Sequence, residues 1–75
     1  MSLEEYKAKL ALLEPGDMVI RLLGGKIEME LIVSEVTTHR ILCGEWEFIR
    51  STGGEIDEFL GWDGVTLTGS QLTFE

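Results

Sequence analysis

The sequence predicts a mainly β protein, a small antiparallel barrel or sandwich with one short N-terminal helix. Three observations lead to this fold class. Apolar residues recur at helical spacing only before Pro15, and they alternate with polar residues after Gly16. Glycine-rich turns separate the alternating stretches. The 75 residues suffice for one domain with a single core, spanning 1–75.

The helix is predicted over residues 3–13. Ser2 is a good N-cap, and Glu5 stands three residues later, where a capping box requires a glutamate. Four apolar residues at helical spacing form one stripe: Leu3, Tyr6, Leu10 and Leu13. Pro15 disfavours helical geometry at the residue before it, so the Pro-Gly pair marks the exit from the helix.

Two strands are predicted from about residue 17 onward, on either side of Gly24-Gly25, a natural hairpin turn. The second strand places one set of residues on one face and two glutamates on the other: Ile27, Met29, Leu31 and Val33 against Glu28 and Glu30. The alternation slips after this strand, which indicates a bulge near Ser34 of the kind found in strongly bent barrel strands.

The first strand is apolar on both faces, with Met18, Ile20 and Leu22 on one side and Val19 and Leu23 on the other. A sheet with one solvated face does not have this pattern. We therefore expect the N-terminal helix, or a second subunit, to cover the outer side of this strand.

Four further strands follow from alternation. "HRILCG" and "EWEFIR" are the next two, and in the latter Trp46 and Phe48 point inward while Glu45 and Glu47 point outward. "VTLT" and "QLTFE" also alternate, with Gly69-Ser70 between them. Closing such short strands into a barrel would remove exposed sheet edges.

Two stretches resemble a small, uncharacterised bacterial family with an SH3-like β-barrel. The first combines a Gly-Asp turn, a Gly-Gly hairpin and a Cys-Gly-x-Trp-x-Phe strand, and the second is "WEFIRSTGGEIDEFLGW". Together they cover roughly residues 13–62. The resemblance implies an SH3-like fold with no assigned activity. Because SH3-like barrels serve peptide-binding, nucleic-acid-binding and structural roles, the fold does not select a function.

The charge and the apolar pattern exclude several partners. A net charge of −8 repels phosphate backbones, and the six basic residues are scattered, so we expect no nucleic acid partner. No apolar run approaches the roughly 20 residues that span a bilayer, and the N-terminus does not resemble a signal peptide, so we expect no membrane association. One cysteine fits a reducing compartment, which predicts a cytoplasmic location.

The residue types also argue against catalysis, metals and cofactors. On a strand, His39 and Cys43 lie about 13 Å apart, too far for a nucleophile and its base, and Cys43 is expected to be a small buried residue. One histidine and one cysteine are too few for zinc. The adjacent Asp57 and Glu58 break the alternation that calcium loops use, and so small a domain has little volume for a substrate cleft. We expect no enzyme, no metal and no cofactor.

The segment "STGGEIDEFLGWDG", residues 51–64, leaves two interpretations open. In one it is a structural corner, in which Ile56 fills the core and an aspartate caps a turn. In the other it is a recognition patch for a protein or basic peptide, formed by five candidate binding residues: Trp62, Phe59, Asp57, Glu58 and Asp63. The predicted function is a non-enzymatic binding module. The alternative is a structural subunit that self-associates into a homo-oligomer through the outer side of the first strand.

Overall fold

The computed structural model describes residues 2–66 and 69–74 and confirms a mainly β fold with one N-terminal helix. These residues form a three-stranded and a five-stranded antiparallel sheet, which are not closed into a barrel. The elements, in chain order, are α1 (Leu3–Leu12), β1 (Met18–Leu23), β2 (Ile27–Ile32), β3 (Glu35–Val36), β4 (Arg40–Cys43), β5 (Trp46–Ile49), β6 (Glu55–Asp57), β7 (Trp62–Asp63) and β8 (Ser70–Thr73).

Helix α1 begins at its predicted cap and ends one residue before the predicted limit. The Ser2 hydroxyl accepts a hydrogen bond from the Glu5 backbone N–H at 3.2 Å. Leu13 adopts an extended conformation and forms the C-cap. The predicted apolar stripe is confirmed at its C-terminal end, where Leu10 and Leu13 are buried, but Leu3 is exposed.

The helix packs against the inner face of the three-stranded sheet, so the prediction that it covers the outer side of β1 is wrong, and cover by a second subunit stays a prediction. Leu10 and Leu13 share the hydrophobic core with Val19 and Leu72. Val19 lies on the inner face of β1, and its outer neighbour Met18 remains 39% exposed. The helix takes this position because Leu10 and Leu13 complete the apolar core that the two sheets share.

The three-stranded sheet has the order β2-β1-β8. Its hairpin turn lies at Gly24-Gly25 as predicted, with positive φ angles of 60° and 72°. The predicted alternation of β2 is also confirmed, because Leu31 and Met29 pair with the inner-face residues Val19 and Arg21. However, β2 is an edge strand, and most of its residues stay exposed.

The slip in the pattern near Ser34 marks a change of sheet where a bulge was predicted. The Val33 N–H donates to the Asp17 carbonyl of the first sheet at 2.9 Å. The next N–H, of Ser34, donates to the Leu42 carbonyl of the second sheet at 2.8 Å. The chain therefore leaves one sheet and enters the other within two residues, and an inserted residue is not needed to explain the slip.

The five-stranded sheet has the order β3-β4-β5-β6-β7. Strands β4 and β5 agree with the predictions: Phe48 is fully buried, and the half-buried Trp46 packs against the core.

The sequence did not predict that β6 and β7 are strands. The predicted strand "VTLT" is wrong at Val65 and Thr66, which lie outside the strands, and residues 67 and 68 lie outside the described residues.

Candidate functional site

The first part of the 51–64 segment is a structural corner. The Thr52 hydroxyl donates to the Gly64 carbonyl at 2.5 Å and accepts from the Gly54 N–H at 3.1 Å. Gly53 is buried with a φ of 75°, and a Cβ atom there would collide with the Tyr6 hydroxyl. This part of the segment therefore turns the chain against the helix.

Glu55, not Ile56, occupies the inward position of β6, so the expected role of Ile56 in the core is wrong. The register decides this: Glu55 pairs with the buried Phe48 and shares its face, whereas Ile56 pairs with the outward Glu47. The Glu55 carboxylate is buried and accepts hydrogen bonds of 2.5 Å from both Arg21 Nε and the Ser70 hydroxyl.

This ion pair joins the two sheets through the core. Arg21 stands on β1 and Glu55 on β6, and both side chains are almost fully buried. The Arg21 guanidinium carbon also lies 4.2 Å from the centre of the Trp46 ring, in cation–π geometry. One of the four carboxylates of the segment thus belongs to the interior and not to an acidic surface.

The turn between β6 and β7 carries the exposed aromatic residue of the segment. Asp57 Oδ1 accepts hydrogen bonds from the backbone N–H groups of Phe59 at 2.9 Å and Leu60 at 3.1 Å. Gly61 has a φ of 73°, which closes the turn. The Phe59 side chain is fully exposed. An aspartate that fixes a turn while a phenylalanine points into solvent makes this turn the strongest candidate for recognition.

Beside this turn lies a cleft of about 330 Å³, here called the acidic cleft. Its lining residues come from β4, β5, their connecting turn and the β6–β7 hairpin: Arg40, Glu45, Glu47, Ile56, Asp57, Glu58 and Phe59. Arg40 is paired with Glu47 at 2.7 Å. No described basic residue forms an ion pair with the other three carboxylates. The volume lies at the lower end of the range of ligand sites.

Two of the five predicted binding residues do not line the acidic cleft. Trp62 is half-buried, and its indole ring lies so close to Gly69 that a Cβ atom there would collide with it. Asp63 Oδ1 accepts from the N–H groups of Thr66 at 2.8 Å and Val65 at 2.9 Å. These hydrogen bonds lower the pKa of Asp63 below its ordinary value.

The structure therefore brings Asp57, Glu58 and Phe59 together in the cleft and places Trp62 and Asp63 elsewhere. Sequence reasoning missed the contribution of the β4–β5 hairpin: Arg40, Glu45 and Glu47. The alternation that points Glu45 and Glu47 outward was the sequence signal that could have identified them as cleft residues. What the sequence lacked was the register that sets β5 beside β6.

Cys43 and His39 stand in different environments. Cys43 is buried as predicted, and its burial raises its pKa to about 11, so the thiol stays protonated at neutral pH. His39 is exposed in the turn before β4. Among residues 2–66 and 69–74, no three His, Cys, Asp or Glu side chains are placed to hold a metal ion. None of the described helices is long and apolar enough to cross a membrane.

Comparison with known proteins identifies no relative: no family model, no curated protein and no solved structure matches the chain. The function of the acidic cleft therefore has to be inferred from its own geometry.

Proposed function

We propose that the protein is a non-enzymatic binding module that holds a basic segment of a partner protein in the acidic cleft. The observation that carries this proposal is the fully exposed Phe59 ring beside carboxylates that form no ion pair with a described basic residue. The neighbouring carboxylates repel one another, and the exposed ring offers apolar surface that a partner can bury. A lysine or arginine side chain of a partner neutralises the carboxylates and covers the Phe59 ring.

The cleft offers two kinds of contact to such a side chain. Glu45, Asp57 and Glu58 provide carboxylate oxygens for an ammonium or guanidinium group. The Phe59 ring provides a face for the cation and an apolar surface for its methylene stem. The net charge of −8 attracts a basic partner from a distance, which raises the association rate at low salt.

The shape of the site also favours binding over catalysis. Acid–base catalysis by two carboxylates needs different environments that separate their pKa values, usually through burial. In the cleft, Glu45 and Glu58 are exposed and Asp57 is only half-buried. The Asp57 hydrogen bonds hold the turn in shape before a partner arrives, which lowers the entropy cost of binding.

The test is the affinity for a fluorescently labelled, arginine-rich peptide, measured by anisotropy at low and moderate salt. We expect Phe59→Ala to weaken binding by about tenfold or more, because an exposed anchor is lost. The same variant should keep the melting temperature of the parent, since the side chain buries nothing in the free protein.

Leu60→Ala is the matched control, because Leu60 is exposed in the same turn but does not line the cleft. It should bind as the parent does. Equal affinities of the parent and Phe59→Ala, or a loss of the same size in Leu60→Ala, would contradict the proposed site.

Self-association is the second candidate function, and one observation favours it. Met18 and Ile32 pair across β1 and β2 on the outer face, where they are 39% and 57% exposed. Light scattering over a dilution series tests this candidate. A dimer that resists dilution and becomes a monomer on Met18→Lys would favour it, and a monomer at all concentrations would exclude it.

We also propose that the two sheets adopt the SH3-like arrangement, in a protein of the cytoplasm. Two connections support this fold: the passage from β2 into β3, and a hydrogen bond of 2.8 Å from the Leu72 N–H to the Gly53 carbonyl. The buried, unpaired Cys43 suits a reducing compartment.

A further inference from the structure

Strand β2 has an unoccupied edge along its whole length. Within residues 2–66 and 69–74 it pairs with β1 alone, and it is the outermost strand of the three-stranded sheet. An edge strand of six residues presents a row of unpaired backbone donors and acceptors, to which another extended chain can bind.

The other sheet edges are short or covered. On β8, the Leu72 N–H donates to Gly53, and the Leu72 carbonyl accepts from the Tyr6 hydroxyl at 2.5 Å. The five-stranded sheet ends in β3 and β7, which have two residues each. Covering contacts protect the edge at β8, and short length protects the edges at β3 and β7, whereas the described edge of β2 has neither protection.

The residues whose backbone groups face outward follow from the hydrogen-bond pattern. The Val33 N–H donates to the Asp17 carbonyl, so these two form a hydrogen-bonded pair across the hairpin. Because such pairs alternate along an antiparallel ladder, Leu31 and Met29 also bond to β1. The backbone groups of Glu28, Glu30 and Ile32 therefore point to the free edge.

The side chains of β2 separate into an acidic and an apolar row. Glu28 and Glu30 lie exposed on the outer face, and neither takes part in a described ion pair. On the opposite face, Ile27 is 62% and Met29 40% exposed. The glutamates oppose pairing of the free edge with itself, but Ile27 and Met29 have no apolar neighbour beyond the edge.

We propose that the edge of β2 binds an extended segment of a partner protein by antiparallel strand addition, and that this segment alternates basic and apolar residues. Basic side chains would stand opposite Glu28 and Glu30 on the outer face. Apolar side chains would cover Ile27 and Met29 on the inner face. This site is separate from the acidic cleft and does not depend on it.

Charge distinguishes such a partner from a second copy of the chain. If two β2 strands paired antiparallel about Met29, Glu28 of each copy would stand directly opposite Glu30 of the other. If they paired about Glu30, the two Glu30 side chains would face each other. Like charges directly opposite in a sheet are destabilising, so the two glutamates oppose self-pairing in these registers and favour a basic strand.

The test uses a short, capped peptide of alternating lysine and valine, labelled for anisotropy. In the proposed complex the lysines face the two glutamates, and their N–H groups point at β2. We expect N-methylation of the lysine residues to weaken binding by about tenfold or more. The same peptide N-methylated at valine is the matched control and should bind like the unmodified peptide, because those N–H groups point away.

A variant of the protein tests the same contact from the other side. Glu30→Pro removes an N–H that faces the free edge and keeps the ladder to β1, a position where sheets tolerate proline. It should abolish binding, whereas Glu30→Gln keeps the N–H and should weaken binding only moderately. The methylated peptides, used with the unmodified protein, decide the question if Glu30→Pro fails to fold.

Three results would overturn the proposal. The first is equal binding of the peptides methylated at lysine and at valine. The second is loss of peptide binding in Phe59→Ala, which would place the peptide in the acidic cleft. The third is a dimer of the protein alone that Glu30→Pro converts to a monomer, which would make a second copy the occupant of this edge.

Discussion

At the scale of single residues, the buried ion pair of Arg21 and Glu55 is the most consequential interaction. It sits between the two sheets, where both groups have lost their hydration. The Ser70 hydroxyl and the Trp46 ring complete its surroundings. A buried pair with satisfied hydrogen bonds adds little net stability relative to apolar residues, but loss of one partner leaves an unpaired charge in the interior.

We expect Glu55→Gln to cost about 3–5 kcal/mol of unfolding free energy, because the Arg21 charge is left buried without a counterion. A domain of this size has a total stability of roughly 4–11 kcal/mol, so this loss is a large fraction of the total and should lower the melting temperature clearly. Thermal denaturation followed by circular dichroism measures the loss.

Glu47→Gln is the matched control, because Glu47 pairs with Arg40 at the surface, where the side chains are 38% and 51% exposed. Breaking an exposed pair should change stability by no more than about 1 kcal/mol. Similar losses in the two variants would show that the Arg21–Glu55 pair is not buried as described.

At the scale of elements, the β6–β7 hairpin carries one aromatic residue that packs against the fold and one that is exposed. Trp62 packs against the backbone of Gly69 and ties the hairpin to the chain before β8. Phe59, three residues earlier, extends from the turn into solvent. The structural interpretation therefore applies to Trp62, and the recognition proposal rests on Phe59.

This division predicts opposite effects for the two aromatic residues. Trp62→Ala should lower the melting temperature clearly, because a half-buried indole is lost and a cavity remains beside Gly69. Its affinity for an arginine-rich peptide, measured below the melting temperature, should change little. A stable Trp62→Ala variant that no longer binds would place the tryptophan in the recognition site.

At the scale of the whole molecule, charge dominates. The 75 residues carry fourteen acidic and six basic side chains, which gives a net charge of −8. The two ion pairs in the described part of the chain engage two of the carboxylates, so most of the others repel one another. Self-repulsion of this kind keeps a protein soluble and reduces the stability of the compact state.

We expect sodium chloride, raised from low to physiological concentration, to increase the melting temperature, because screening weakens this repulsion over about 8–10 Å. A variant with Glu28→Gln and Glu30→Gln should melt higher at low salt and respond less to added salt. Neither position forms a described ion pair, so both changes act through charge alone. A melting temperature that falls as salt is added would mean that attractive pairs outweigh the repulsion.

Much of the fold follows from local patterns in the sequence. The Ser2 cap, the Gly24-Gly25 hairpin and the alternation in β2, β4 and β5 depend on neighbours a few residues apart, so the sequence alone predicts them. Asp57, Glu58 and Phe59 were predicted as binding residues because an exposed turn concentrates acidic and aromatic side chains. Their roles in binding stay predictions.

The pairing of distant strands was decided by the tertiary structure alone. Glu55 and Ile56 both fit an inward position in the pattern, and only the register of β6 against β5 places the carboxylate opposite Arg21. The open edge of β2 likewise depends on which strands lie beside β1. Local sequence determines which face a side chain takes along its own strand. Which residues meet across strands depends on contacts between distant segments, and the physical reason is that burial and charge pairing are optimised over the whole molecule at once.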